Sequence, residues 1–475
     1  MNQNTNSENC FNSAVQQISM IRDRDISCKE LLDLHIDNLK KYNPKVNAIV
    51  TQTLDLARIS AEKSDQRICS GENIGILEGL PVAIKDLHMT EGILTTEGSR
   101  IYKNRIPKKD SLIVSRIKNS GAVIVGKSNT PEFGAGSQTF NDVFGPTLNP
   151  YDLSKSCGGS SGGSAVALAC GMSSIATGSD LGGSLRNPAA WCNVVGFRPT
   201  LGVVPSFTDL PWNTLSTDGP MGRTVEDIVL QLKAISGKDE YVANSYYENI
   251  KFDLEKFLQK KPDKLKIAWG GNLGDRPIDN EILSITKDSL RNFSEMGFEV
   301  YEDYPDLSDS DEVFNAFRAY KFAFDHKDHI KKYPDLVKDT IKWNTENGIQ
   351  LRAVNLGKME QFRNDIWKKM ISFFQKYDLF ALPVTSVPPF SIDVEYPTKI
   401  DGVELQTYLD WMWPCYVISV TGMPSISIPC GFNNDNLPVG LQLIASPFKD
   451  FDLLSSAYIF QENTKFHKIT PPICV

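Results

Sequence analysis

No stretch of this 475-residue sequence approaches the roughly 18 consecutive apolar residues of a membrane helix, and its start, MNQNTNSENCFNS, has neither the positive charge nor the apolar core of a secretion signal. A membrane-embedded or secreted protein is not expected. Basic residues are not in excess: Lys and Arg total 50 against 58 Asp and Glu, a formal charge of −8 that disfavours nonspecific attraction to phosphate backbones or anionic membranes. Neither direct nucleic-acid binding nor a membrane partner is expected, and a cytoplasmic protein acting on a small molecule fits the balance. There is no C-x-x-C pair; the nine cysteines are odd in number and scattered, as free thiols in a reducing compartment are, and they suggest neither a disulfide frame nor a zinc site. Histidines number only five, at positions 35, 88, 326, 329 and 467, and none lies in a patterned context beside a nucleophile. His326 and His329 have the i, i+3 spacing of a metal pair but no visible third or fourth ligand, so they read as a solvated helix face. Linkers rich in Gly and Ser or in charge are also missing, as are internal repeats. A length that would permit two or three domains is therefore read as one domain over residues 1–475, with an N-terminal extension to residue 25 and a variable helical region over about 237–370.

The patterned segments alternate between the strand and helix periods, the mark of an α/β fold. A helix is expected from Ser27, where Ser27 and Glu30 form a capping box and Cys28, Leu31, Leu32, Ile36 and Leu39 share a face, with Pro44 as its stop. LPVAI reads as a short buried strand, Asp110 or Ser111 caps a helix through Lys118, and Gly121 leads into AVIVG. The unit recurs as LKIAW, a helix carrying Ile282, Leu283, Leu290 and Phe293, and GFEVY. DLFALP, PSISIP and LPVGLQLI follow, the last two separated by the turn residues NNDN.

Glycine and serine are concentrated between Lys155 and Arg198, in CGGSSGGSAVALACG and TGSDLGGSLRNPA. Ser160 and Ser184, 24 positions apart, are each flanked by glycines that let backbone amides crowd a reacting oxygen. The successive amides of Leu181, Gly182, Gly183 and Ser184 can form an oxyanion hole with Ser184 as nucleophile, although a Gly-rich turn with an idle serine has the same pattern. A phosphate-binding loop fails on detail, since neither Lys nor Thr follows Gly163 as a P-loop demands. Serine needs a base. Lys85 follows Val82, Ala83 and Ile84, so its amine is expected at the end of a buried strand, where desolvation favours the neutral form; the alternatives are an ion pair with Asp86 or a surface lysine. The aromatic residues Trp411, Trp413, Tyr416, Phe133 and Trp212 can line an acyl pocket or fill the core.

Taken together these pieces resemble the amidase signature family of serine hydrolases. The matching runs, in order, are GLPVAIKD, GAVIVGKSNTPEF, FGPTLNPYD, GGSSGGSAVALA, GSDLGGSLRNPA, GFRPTLGVVP and TGMPSISIPCGF with LPVGLQLI, nearly the whole chain. The resemblance implies a large twisted mixed β-sheet covered by helices on both faces. It also implies a relay in which Lys85 takes a proton from Ser160 and Ser160 one from Ser184, with a cis peptide bond before Ser160 and no metal or cofactor. Asp180 and Arg186 would hold the oxyanion loop, Ser161 would bond beside Ser160, and Phe133 and Gly134 would meet the substrate. Within the family, glutaminase subunits of tRNA-dependent amidotransferases carry an RRIMLGT-like segment; here the region reads LRAVNLGKMEQFRNDIWKKM. A free-standing amidase acting on a small-molecule amide is the expectation, with a glutaminase subunit or a catalytically silent assembly protein as alternatives and a homodimer left open.

Overall fold

A computed structural model describes residues 8–245, 252–259 and 264–475. The polar start of the expected N-terminal extension, and two short pieces of the region over 237–370, lie outside the described residues. Helix α1, Ala14–Arg22, opens on a capping box in which Ser13 and Gln16 exchange hydrogen bonds at 3.2 and 3.0 Å, and it buries Ile18 and Ile21. Helix α2, Cys28–Val46, starts at the Ser27–Glu30 box and buries the expected face. Pro44 does not stop it. Proline removes one i→i−4 bond and ends helices through its missing N–H. Here it sits in the last turn, which Asn43 holds by accepting from the amides of Ala48 and Ile49 at 2.9 and 2.8 Å, and the helix closes at left-handed Asn47.

The chain continues through β1 (Ile49–Gln52), α3 (Leu54–Ser70), β2 (Pro81–Lys85), α4 (Leu112–Asn119, with Ser111 at its N-cap), β3 (Val123–Ser128), α5 (Gly162–Ala169), β4 (Ile175–Asp180), α6 (Arg186–Trp191), β5 (Val195–Arg198) and β6 (Thr217–Gly222). Beyond these lie α7 (Val225–Ile235), α8 (Leu254–Gln259), β7 (Lys266–Trp269), α9 (Asn280–Glu295), β8 (Glu299–Glu302), α10 (Ser310–Lys332), α11 (Asp339–Ile349), α12 (Ala353–Phe373) and β9 (Leu379–Pro383). The last part holds the small hairpin β10 (Lys399–Ile400) and β11 (Val403–Glu404), then α13 (Trp413–Thr421), β12 (Ser425–Phe432), β13 (Pro438–Ala445) and α14 (Asp450–Thr464).

Eleven strands form one mixed sheet in the order β1-β3-β2-β4-β6-β5-β12-β13-β9-β7-β8. All residues of β2, β3 and β13 are buried, so both faces of the sheet are covered, as expected for an α/β architecture. Strands β12 and β13 form the hairpin that the NNDN turn implies. β7 and β8 extend the same sheet from within the helical region over 237–370, pairing in parallel with each other while β7 pairs with β9.

What positions the site is the parallel trio β3-β2-β4. Val82 is level with Ile175, so the carboxyl ends of β2 and β4, at Lys85 and Asp180, reach the same edge of the sheet. Open α/β sheets bind ligands outside such carboxyl ends.

Candidate active site

Lys85 is the last residue of β2 and is fully buried. Its Nζ donates to the hydroxyls of Ser160 and Ser161, each at 2.8 Å, and of Ser179 at 3.0 Å. The ion pair with Asp86 that the sequence allowed is not made: Asp86 accepts from the amide and hydroxyl of Thr96 at 3.0 and 2.7 Å, and Lys127 is the cation beside it at 3.7 Å. Burial pushes the Lys85 amine down to about 7, partly countered by the negative charges of Asp218 and Asp180. Cys157, by contrast, is buried and pushed up to about 12, so its thiol stays protonated.

Ser160 and Ser161 precede helix α5, and the Gly159–Ser160 peptide is cis, with the Gly159 carbonyl accepting from Ser137 Oγ at 3.1 Å. The Ser161 amide donates to the Ser184 carbonyl at 3.2 Å, which ties the two glycine-rich loops together. Ser184 lies between β4 and α6 and is 9% exposed, the most accessible of the three expected catalytic side chains.

Asp180 organises the loop that follows it. Its carboxylate accepts from the amides of Gly183 and Leu185 at 2.9 and 3.1 Å and from Arg186 Nε and Nη2 at 3.0 and 2.8 Å, and Arg198 lies at 3.3 Å. Burial would raise this carboxyl, but the two guanidiniums and the Leu185 amide overcome it and hold it far below the usual range. The Gly183 amide is therefore taken, which corrects the expected set of four oxyanion donors. The amides of Leu181, Gly182 and Ser184 have no acceptor among the described residues and remain available. Gly183 has φ +119°, and a Cβ there would lie 2.5 Å from Cys415 Cβ. Gly183→Ala is thus expected to displace the loop and lower kcat by about 100-fold or more, the loss associated with one oxyanion donor, in steady-state amide hydrolysis.

The loop opens onto a cavity of about 540 Å³ that Ser160, Ser179, Ser184, Phe133 and Gly134 all line. A profile of the amidase family matches residues 30–454. A glutamyl-tRNA(Gln) amidotransferase subunit from Sulfurihydrogenibium sp. is 33% identical over 96% of this chain and 97% of its own length. The chain belongs to the amidase signature family. Amide C–N hydrolysis is the activity of this family. An acylamidase of Rhodococcus erythropolis is 32% identical over 94% of both chains. Among solved structures, a bacterial aryl acylamidase superposes with a TM-score of 0.90 at 26% identity, covering 97% of this chain and 99% of the other. The corresponding glutamyl-tRNA(Gln) amidotransferase subunit from Thermotoga maritima superposes with 0.75 at 27% identity, over 93% and 95%.

In this amidase, Ser179 joins the lysine and serines without having been expected. The signal was present in the alternation of β4: Thr177 and Ser179 share a strand face, and Thr177 Oγ1 accepts from the Lys85 amide at 2.9 Å. His88 lies between Thr177 Oγ1 at 3.0 Å and Asp218 Oδ1 at 3.2 Å, buried beside the lysine. The solvated face expected for His326 and His329 is not found. Both imidazoles line the cavity, packed against Phe133 with ring centroids 4.5 and 5.4 Å away. Burial pushes His326 down to about 3, so it is neutral. Trp411, Trp413 and Tyr416 are core residues, with Trp411 stacked on Trp191 at 5.4 Å, while Trp212 is largely exposed. Of the five aromatic residues for which pocket and core were both open, only Phe133 lines the cavity. No helix among the described residues is long and apolar enough to cross a membrane.

Proposed function

We propose that this amidase is a free-standing serine hydrolase of a small-molecule amide, with Ser184 as nucleophile and Lys85 as base. The observation that carries the reading is the buried Lys85 amine, 2.8 Å from Ser160 Oγ and held by hydroxyls alone. As a neutral amine it accepts the Ser160 proton while Ser160 accepts that of Ser184, and Ser184 Oγ adds to the amide carbon. The amides of Leu181, Gly182 and Ser184 receive the oxyanion. On collapse the proton returns through Ser160 to the departing nitrogen, and water then cleaves the acyl-enzyme by the same relay. Ser161 and Ser179 fix the amine, Asp180 and Arg186 fix the loop, and Phe133 and Gly134 border the substrate. No step uses a metal or cofactor. The reading treats residues 1–475 as one catalytic domain acting in the cytoplasm without nucleic acid; a homodimer is compatible with it.

A glutaminase subunit is the second reading, favoured by relatives such as the one from Sulfurihydrogenibium. The missing RRIMLGT-like run and the TM-scores of 0.90 against 0.75, at nearly equal identity, favour the free-standing enzyme. Ammonia release from a panel of primary amides including glutamine, by the chain alone and with Ser184→Ala as control, separates the two. Turnover of simple amides supports the first reading, and turnover of glutamine only, or only with added partner subunits, supports the second.

The pH dependence follows from the base. With its amine lowered to about 7, Lys85 is protonated and inactive below that value and neutral above it, so kcat/KM is expected to rise with pH through about 7. A profile flat from pH 5 to 9 would remove Lys85 from the role of base.

A further inference from the structure

Helix α10 lays one face along the cavity. Phe314, Arg318, Phe322, His326 and His329 all line it, at steps of three and four residues. Its Phe314 end meets the oxyanion loop: a Cβ on Gly182 would lie 2.8 Å from Phe314 Cζ. At 1.5 Å rise per residue, Arg318 stands about 6 Å farther along the cavity.

Arg318 is only 5% exposed. Its Nη2 donates to the Tyr408 hydroxyl at 2.9 Å, its guanidinium lies over the Phe322 ring with 4.4 Å to the centroid, and its buried Nε has no hydrogen-bond partner among the described residues. No carboxylate among the described residues pairs with it. The other cations at or beside the cavity are matched: Arg105 with Glu97, Lys321 with Asp325 and Lys338 with Glu395, each at 2.7 Å. The one remaining carboxylate that lines the cavity, Asp209, is exposed. A guanidinium cannot shed its charge, and a buried charge is ordinarily kept with a partner of opposite sign.

We propose that the partner is the substrate: the cavity takes an amide whose other end carries a carboxylate, and Arg318 binds that carboxylate through Nη1, its donor that is neither bonded nor buried. The proposal rests on the amidase reading of the site and adds the substrate class. The roughly 6 Å step from the oxyanion loop selects a short spacer, which the series succinamate, glutaramate and adipamate spans. Tyr408 positions the guanidinium, and Asn344 Nδ2 in turn donates to the Tyr408 hydroxyl.

The test compares kcat/KM for these three amic acids with butanamide, pentanamide and hexanamide, read as ammonia release by the full chain. A preference of about 100-fold or more for the acid at one chain length is expected, because the neutral amide leaves the buried guanidinium unpaired. Competitive inhibition of pentanamide hydrolysis by glutarate or adipate is expected as well and requires no variant. Arg318→Met, which keeps much of the stem's volume without the charge, should bring the acid-to-amide ratio close to one, and Arg318→Lys should restore part of it. Neutral amides turned over as well as the acids at every length would overturn the carboxylate site and leave the amidase reading standing. Hydrolysis of no amide would overturn both.

Discussion

Ser184→Ala is expected to lower kcat for amide hydrolysis by about 10⁴- to 10⁶-fold, the range in which removing one member of a nucleophile–base unit abolishes the whole route. The nearby thiol of Cys157 is fully buried and held protonated, and Ser160 is bound to Lys85 at 2.8 Å. Lys85→Ala should fall in the same range on amides, and Ser184→Ala combined with Lys85→Ala should be little worse than either alone, since both remove one relay. On matched esters Lys85→Ala should lose less, because an alcohol leaves without the proton that the proposed relay returns through Ser160 to a departing amine. Single-turnover kinetics on an amide and ester pair with the same acyl group measures this directly. Equal losses on the two substrates would show that the proton does not return through Lys85 and Ser160. A serine-directed fluorophosphonate should label Ser184 in the wild type and leave Ser184→Ala unlabelled.

Asp180→Asn is the second large effect, and it acts on stability as well as rate. Asp180 is completely buried between Arg186 and Arg198, at 2.8 and 3.3 Å. Removing one partner from such a group leaves uncompensated buried charge and typically costs about 3–5 kcal/mol. The variant should therefore unfold several degrees below the wild type in a thermal melt. It should also lose at least about 100-fold in kcat, because the Gly183 and Leu185 amides, and with them the oxyanion loop, lose their anionic acceptor. An unchanged melt together with unchanged kcat would remove Asp180 from both roles.

That Lys85, Ser160 and Ser184 come together was legible because the motifs that carry them are local in sequence. Lys85 ends an apolar run with the pattern of a buried strand, and Ser160 and Ser184 sit among glycines at a spacing that the resemblance to the family gave a meaning. The pairing of Asp180 with Arg186 followed from the resemblance, whereas Arg198, which donates to the same carboxylate, was not singled out. The wall of the cavity was much less legible. The positions of α10 that line it carry the helix period plainly, but a period says which residues share a face and not what the face meets. His326 and His329 were accordingly assigned to solvent, although α10 turns them toward Phe133. Gly183 shows a finer limit: four consecutive residues offer four amides, and only the position of the Asp180 carboxylate decides which one is spent internally. For Trp411 and Trp413 the sequence left pocket and core open, and the core, where large aromatic side chains bury most area, is where they lie.

The anchoring of Arg186 also bears on how the molecule is made. Its guanidinium reaches the carbonyl of Cys415, the hydroxyl of Ser419 and the side chain of Gln442, partners 229, 233 and 256 residues farther along the chain. At about 5–20 residues per second, Gln442 is synthesised roughly 13 to 50 s after Arg186. During that interval the loop bearing Ser184 lacks its C-terminal supports. The β12–β13 hairpin therefore has to be made before the supports of the loop bearing Ser184 can be complete.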